Sequence, residues 1–241
     1  MKTIGILGGM SWESTATYYQ LLNQIVRARL GGLHSADILL RSFDFAPIAE
    51  LQSEENWDGA ADLMIEAALK LEKAGAGCLL IGTNTMHICA DSVQARLSIP
   101  LLHIADVTAE SIQARGSKSP LLLATRFTME KDFYKERLSQ RHGVEVLIPD
   151  EQERADVHRI IYDELCQGVI SKQSKTRYLE IIESAKANGA DGVIFGCTEV
   201  GLLISTNDVD MPVFNSTELH AEAAVDYALS KQARAILRQV L

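Results

Sequence analysis

The chain has 241 residues, of which 47% are hydrophobic and 23% charged, and its formal net charge is −9. These values are ordinary for a soluble globular protein of one or two domains. No basic patch supplies the charge that a nucleic-acid surface needs, and no run approaches the roughly 18 apolar residues of a membrane span. We therefore expect neither a nucleic-acid nor a membrane partner.

In the first half, strand-like and helix-like patterns alternate, which is typical of an α/β fold with parallel sheets. A Gly8-Gly9-Met10 turn leads into a helix that carries Tyr18, and a second helix covers Ala60–Ala74. The predicted strands of this half are Thr3–Leu7, Ile38–Arg41, Leu79–Gly82 and Leu101–Ile104.

The second half repeats this alternation. The predicted strands are Leu121–Ala124, Val144–Ile148, Gly192–Phe195 and Val213–Phe214. The predicted helices lie near Glu130–Arg141, Arg154–Gln167, Lys175–Ala187 and Ser216–Val240. Asn215 and Glu218 have the spacing of a capping box at the start of the last helix.

The chain contains an internal repeat. Residues Ala74–Asn84 run parallel to Asn188–Thr198, and each copy reads as a small-residue loop, a buried strand, a glycine and a polar turn. The offset of 197 − 83 = 114 residues aligns Thr83 with Cys197. Each copy is followed by a matching strand, so a duplication is indicated.

The repeat predicts two pseudo-symmetric α/β lobes, each a parallel sheet flanked by helices, with an active site in the cleft between them. We expect residues 1–104 and 214–241 to form a discontinuous lobe one and residues 105–213 to form lobe two, with strand Val213–Phe214 returning the chain to lobe one. Ligands of open α/β sheets bind at the carboxyl ends of the strands. The turns there carry the candidate site residues.

Cys197 is the first such residue, because it follows a buried strand and a glycine and precedes a predicted helix. A helix N-terminus favours a thiolate, which is the form that acts as a base or nucleophile. The other cysteines are Cys78, Cys89 and Cys166, which we interpret as small buried hydrophobes. No C-x-x-C pair, zinc spacing or signal peptide occurs, so we expect reduced thiols, a cytoplasmic location and no metal.

The turn Thr83-Asn84-Thr85 offers three consecutive hydrogen-bonding side chains that can hold a carboxylate, although helix capping alone would need only one of them. Thr198 can act in the same way from the other lobe. His87 either orients a substrate or satisfies a packing hydrogen bond, and His103 is interpreted as structural. Gly8-Gly9 lacks the G-x-G-x-x-G pattern of a dinucleotide site, and no cofactor is expected.

Three segments together resemble the aspartate/glutamate racemase family: Gly8-Gly9-Met10-Ser11, Thr83-Asn84-Thr85-Met86-His87 and Gly196-Cys197-Thr198-Glu199. The resemblance covers essentially the whole chain and is strongest to the branch with a threonine–cysteine pair, regarded as specific for L-aspartate and L-glutamate. It implies a homodimeric racemase that needs neither pyridoxal phosphate nor a metal.

The resemblance also implies roles for individual residues. Two acid/base groups flank the α-carbon, with Cys197 on the L-face and Thr83 opposite it. The implied substrate-binding residues are Met10, Gln52, Asn84, Thr85, Thr128 and Thr198.

Two departures from the family pattern leave alternatives open. Thr83 stands where a cysteine is usual, and the loop after the second strand lacks the arginine that commonly binds the distal carboxylate, for which Arg41 and Arg126 are the candidate substitutes. The alternatives are a broad-specificity amino-acid racemase, a one-cysteine decarboxylase of the same superfamily, and a non-catalytic amino-acid-binding protein.

Overall fold

The structure is a computed structural model that describes residues 1–230. The chain divides into two compact units. The first contains Met1–His103 together with the chain from His220 onward, and the second contains Ile104–Leu219.

The first unit is a three-stranded parallel sheet of order β2-β1-β3. Its strands are β1 (Ile4–Gly8), β2 (Ile38–Ser42) and β3 (Cys78–Ile81). Its helices are α1 (Trp12–Leu30), α2 (Phe45–Ser53), α3 (Trp57–Lys73) and the short α4 (Ala90–Gln94), with a 3-10 helix at Thr85–Cys89.

The second unit is also a three-stranded parallel sheet, of order β4-β5-β6. Its strands are β4 (Leu121–Leu123), β5 (Val193–Phe195) and β6 (Val213–Asn215). The helices are α5 (Ile104–Ala114), α6 (Arg126–Glu130), α7 (Asp132–His142), α8 (Glu151–Arg159), α9 (Lys172–Ala187) and α10 (Val200–Leu203). α11 (Ser216–Leu229) follows β6 and leads the chain back into the first unit.

The predicted α/β class, with a parallel sheet flanked by helices in each half, is confirmed. Alternate residues of a strand point to opposite faces of the sheet. In the first unit Ile4 and Ile6 join the core formed with α1 and α11, whereas Leu79 and Ile81 join the core formed with α3. Both faces are therefore covered, as expected of a parallel sheet.

The internal repeat is visible in the hydrogen bonds of the two sheets. Gly82 donates its N–H to the carbonyl of Leu7 at 2.8 Å, and Gly196 donates to Leu123 at 2.8 Å. Leu101 forms an isolated parallel bridge with Leu79 of β3. This bridge occupies the position beside β3 that β6 occupies beside β5 in the second sheet. The strands that lead to Thr83 and Cys197 are thus equivalent elements of the two units.

Three predicted strands differ from the structure. Leu101 makes only an isolated bridge and Ile104 already begins α5, while Val144–Ile148 is reduced to a bridge between Leu121 and Leu147. Val213–Phe214 does not return the chain to the first lobe, because β6 pairs along its length with β5 of the second sheet.

The predicted helix at Arg154–Gln167 is only partly an α-helix. It begins at Glu151, capped by Asp150, and passes into a π-helical turn at Ile160–Glu164 and a 3-10 turn at Leu165–Gln167. The helices α2, α5 and α6 were not predicted. Asn215 Oδ1 caps α11 by accepting from the N–H groups of Thr217 and Glu218, and the predicted extension to Val240 lies outside the described residues.

A buried histidine fixes α11 against the first sheet. His220 is fully buried, and its Nε2 donates to the carbonyl of Leu102 at 2.7 Å. Since burial lowers the pKa of His220 to about 4, the ring is neutral at pH 7 and its Nδ1 accepts from the Tyr18 hydroxyl at 2.8 Å. Among residues 1–230, no helix is long and apolar enough to cross a membrane.

We predict that His220 weakens the fold as the pH falls. Its pKa is near 6.5 in the unfolded chain, so between pH 6.5 and 4 the unfolded state binds the additional proton. At pH 5 this residue alone should lower the free energy of unfolding by about 2 kcal/mol relative to pH 7. Urea unfolding at both pH values should show a smaller difference for His220→Gln than for the wild type, and an equal difference would contradict the assignment.

Candidate active site

The first group of candidate residues follows β3. Thr83 is partly exposed, whereas Asn84 and Thr85 are buried at 4% and 5% exposure. Thr85 opens the 3-10 helix, so the three polar side chains lie at the carboxyl end of the strand as predicted. The hydroxyl of Ser14 donates to the Gly82 carbonyl at 2.8 Å, which ties the first turn of α1 to the start of this segment.

Gln52 and Met10 lie close to the same segment. Gln52 is buried on α2, and its amide donates to the Met86 sulfur at 3.0 Å, one residue beyond Thr85. Met10 and Met86 belong to one buried cluster. Gln52 therefore contacts the residue that follows the Thr83–Thr85 turn, and Met10 belongs to the same core as that residue.

His87 stabilises this turn through a hydrogen bond to its backbone. It is buried, and its Nδ1 lies 2.8 Å from the Thr83 carbonyl, so Nδ1 carries the proton and donates. Its ring centroid lies 4.7 Å from that of His103 and 5.6 Å from that of His220. His87 thus makes a packing hydrogen bond, one of the two alternatives that the sequence left open.

The two glycines before Met10 serve close packing. Gly9 has φ +88°, and a Cβ there would lie 2.3 Å from the backbone nitrogen of Phe43. A Cβ on Gly8 would lie 2.6 Å from the side chain of Thr15, whose hydroxyl accepts from the Gly9 N–H at 2.7 Å. Because any side chain here would clash, the two glycines allow the turn to pack against the loop after β2 and against α1.

The second group of candidate residues follows β5. Cys197 is partly buried and its Sγ donates to Glu199 Oε2 at 2.9 Å. Burial raises the pKa of the Cys197 thiol well above its ordinary value, and the nearby Glu199 carboxylate raises it further. The resting group is therefore a protonated thiol with a carboxylate positioned to accept its proton.

The expectation of a thiolate at a helix N-terminus is wrong for this turn. α10 begins only at Val200, after Glu199, and has four residues. The dipole of so short a helix is small, and the carboxylate two residues from the sulfur acts in the opposite direction. The sequence placed Glu199 in the Gly196–Glu199 segment but assigned it no role, because spacing does not reveal its hydrogen bond to Cys197.

Thr128 and Thr198 occupy different environments in the second unit. Thr198 is partly exposed beside Cys197. Thr128 is fully buried, and its hydroxyl lies 3.2 Å from that of Thr125, the N-cap of α6. We therefore expect Thr128 to orient Thr125, which is itself buried at 7% exposure.

Two tyrosines near Cys197 were not predicted. Burial raises the pKa of Tyr162 to about 12, and the charges of Cys197, Cys166 and Glu199 add to the effect. Tyr178 shows the same direction of pKa change, mainly through burial, and its hydroxyl donates to the Val157 carbonyl. Both phenols are therefore neutral neighbours of the thiol.

Of the remaining cysteines, Cys78 and Cys89 fit the interpretation as buried hydrophobes better than Cys166 does. Burial raises the pKa of Cys78 to about 11 and that of Cys89 to about 12, so both are inert thiols. Cys166 is only partly buried. Within the described part of the chain, no group of three His, Cys, Asp or Glu residues could hold a metal ion.

Comparison with known proteins agrees with this description. Residues 7–224 match the family described as Asp/Glu/Hydantoin racemase. A candidate Asp/Glu racemase from Yersinia pestis is 51% identical, with a TM-score of 0.90 over 95% of this chain and 100% of that one. PH1733 from Pyrococcus horikoshii OT3, an aspartate racemase homologue, is 36% identical, with a TM-score of 0.84 over 95% and 99%.

A relative from Bacillus subtilis (strain 168), the broad specificity amino-acid racemase RacX, is 26% identical and aligned over 95% of this chain and 99% of its own length. The chain belongs to the Asp/Glu/hydantoin racemase family and is an isomerase of the amino-acid racemase class. The resemblance drawn from the three sequence segments is confirmed.

We predict that Glu199→Gln lowers the thiol pKa of Cys197, because it removes the negative charge that disfavours the thiolate. Titration of the thiolate absorbance near 240 nm should show an onset at lower pH than in the wild type, after subtraction of a Cys197→Ser background. An unchanged or higher onset would mean that burial alone sets the pKa.

Proposed function

We propose that this enzyme racemises L-aspartate and L-glutamate without a cofactor, with Cys197 serving the L-face of the α-carbon and Thr83 the opposite face. The Cys197–Glu199 hydrogen bond carries the proposal, because it supplies both a thiol and an acceptor for its proton. Thr83 follows β3 as Cys197 follows β5, which supports paired roles for the two residues.

In the L-to-D direction, Cys197 must first become a thiolate. The thiol proton moves to Glu199, so the negative charge passes from the carboxylate to the sulfur, where the positive α-ammonium group of the substrate stabilises it. The sulfur then takes the α-proton and leaves a carbanion, which the Thr83 hydroxyl protonates from the other side; Thr83 then regains a proton from the solvent and Glu199 releases one to it. The reverse direction starts with Thr83 as the base.

The polar residues around these two groups are proposed to hold the substrate. Asn84, Thr85 and Thr198 bind the α-carboxylate through amide and hydroxyl donors. Met10 and Gln52 line the site on the Thr83 side, with Thr128 contributing through Thr125 on the Cys197 side.

One observation favours a second candidate function. The relative from Bacillus subtilis is described as a broad specificity amino-acid racemase, and the same acid/base pair would serve any amino acid that the site admits. A decarboxylase would instead release carbon dioxide, and a binding protein would be stabilised by ligand without exchanging the α-proton.

We predict that Cys197→Ala abolishes α-proton exchange. Loss of the acid/base group should lower the rate by roughly 10³-fold or more. The measurement is proton NMR of L-aspartate and L-glutamate in D₂O, following the α-proton signal. Cys166→Ala is the matched control, since Cys166 is also a partly buried cysteine of this unit. Full activity of Cys197→Ala, or no exchange by the wild type, would refute the proposed function.

We further predict that the two directions differ in efficiency. A threonine hydroxyl is a far weaker acid than a thiol, whose reference pKa is about 8.5, so abstraction from the D-isomer should be the slower reaction. Initial rates of polarimetric change from each pure isomer should show this, and Thr83→Cys should reduce the difference. Thr83→Ala should impair racemisation more than exchange at the L-face, whereas equal initial abstraction rates in the wild type would contradict the assignment.

A further inference from the structure

The turn after β4 touches the turn that carries Cys197. β4 and β5 are parallel neighbours in which Leu123 pairs with Phe195. Beyond that pair, a Cβ on Gly196 would lie only 2.9 Å from the Cβ of Ala124, so only a glycine lets the two turns approach so closely. Arg126 begins α6 two residues after Ala124, just beyond the point where the two turns approach each other.

A second set of contacts connects Arg126 with Tyr162, a neighbour of Cys197. The backbone N–H of Arg126 donates to His158 Nδ1 at 3.3 Å, and the His158 ring lies 4.6 Å from the ring of Tyr162. The pKa of Tyr162 is raised by the charges of Cys197 and Glu199 and lowered by that of Arg126, after the larger effect of burial. Tyr162 thus lies within electrostatic reach of both the guanidinium and the thiol–carboxylate pair.

The positive charge of Arg126 is available for a ligand. The side chain is exposed, and within residues 1–230 its guanidinium has no ion-pair partner. Glu130, four residues further along the chain, is bound by Arg154 at 3.0 Å. Arg126 also lies 5.9 Å from the centroid of the Phe127 ring, a contact that brings no negative counter-ion to the guanidinium.

Arg41, the other arginine considered from the sequence, is engaged elsewhere. Its guanidinium donates to the Ser42 carbonyl at 3.1 Å and lies 5.1 Å from the Phe43 ring centroid. Together with Glu66 and Lys70 it lines a separate groove of about 210 Å³ between β2 and α3. Its charge also acts on Glu66, so it already has a negative neighbour.

We propose that Arg126 binds the side-chain carboxylate of the substrate and thereby restricts the enzyme to acidic amino acids. This inference rests on the proposed racemase function and assigns the specificity of that site. A guanidinium matches a carboxylate with two parallel N–H donors. Arg126, which follows β4, would thus take the role of the carboxylate-binding arginine that is common in the family but absent from the loop after β2.

Kinetic measurements on matched variants test this role. Arg126→Gln should raise the KM for L-aspartate and L-glutamate at least tenfold while changing the α-proton exchange of L-glutamine and L-asparagine less than threefold. Arg126→Lys should recover part of the loss, because lysine keeps the charge without the fork of donors. Arg41→Gln, the control, should leave the KM for all four substrates unchanged.

Binding measurements separate this inference from the proposed function. Calorimetry of the Cys197→Ser variant, which holds ligand without turnover, should show tighter binding of L-glutamate than of L-glutamine, and adding Arg126→Gln should remove that preference. If the wild type exchanges no α-proton but the preference and its loss are seen, the racemase proposal fails and the assignment of Arg126 stands. A preference that survives Arg126→Gln, its loss in Arg41→Gln, or no preference at all would overturn the assignment.

Discussion

In each unit, a glycine hydrogen-bonded to the end of the neighbouring strand determines where the functional turn begins. Gly82 and Gly196 donate to Leu7 and Leu123, and a Cβ on Gly196 would strike Leu122 and Ala124. Without a side chain, the backbone turns immediately at the strand end, and the next residue is Thr83 in one unit and Cys197 in the other. The chemistry of both candidate positions depends on this close approach of backbone to backbone.

The environments of the two turns differ although their backbones are equivalent. Near Thr83 lie three imidazoles: His87 and His220 donate to backbone carbonyls, and the ring of His87 packs against those of His103 and His220. Beside Cys197 lies a carboxylate, which raises the thiol pKa and can accept its proton. The two turns therefore share a backbone arrangement, but in the described structure the thiol–carboxylate hydrogen bond is a feature of the Cys197 turn.

Sequence reasoning predicted the elements that are local and periodic. The repeat of Ala74–Asn84 at Asn188–Thr198 located β3, β5 and the turns that follow them, because buried strands ending in glycine leave a clear pattern. Prediction from the sequence failed for Leu101–Ile104 and Val144–Ile148, where the structure has single β-bridges instead of strands. Whether an apolar run becomes a strand there depends on how much of the neighbouring strand is available for pairing, which composition does not reveal.

The positions of the candidate residues at the strand ends were predictable from the sequence, whereas their electrostatic environment was not. Asn84 and Thr85 lie where the sequence placed them, yet the thiol pKa has the opposite direction from that expected of a helix N-terminus, since the helix is too short and Glu199 is too close. His220 and Tyr18 could not have been paired from the sequence, because 202 residues separate them. The availability of Arg126 likewise depends on which carboxylates its neighbours have already bound.

The central claim is that two different groups serve the two faces of the α-carbon. The most direct measurement is the deuterium content at the α-carbon of D-glutamate formed from L-glutamate during the first few per cent of reaction in D₂O, read by mass spectrometry after separation of the isomers. We predict that this first D-glutamate carries deuterium delivered from Thr83, while the unreacted L-glutamate still carries protium. Protium retained in the product would show that Cys197 alone returns the proton it removed, and it would contradict the two-residue mechanism.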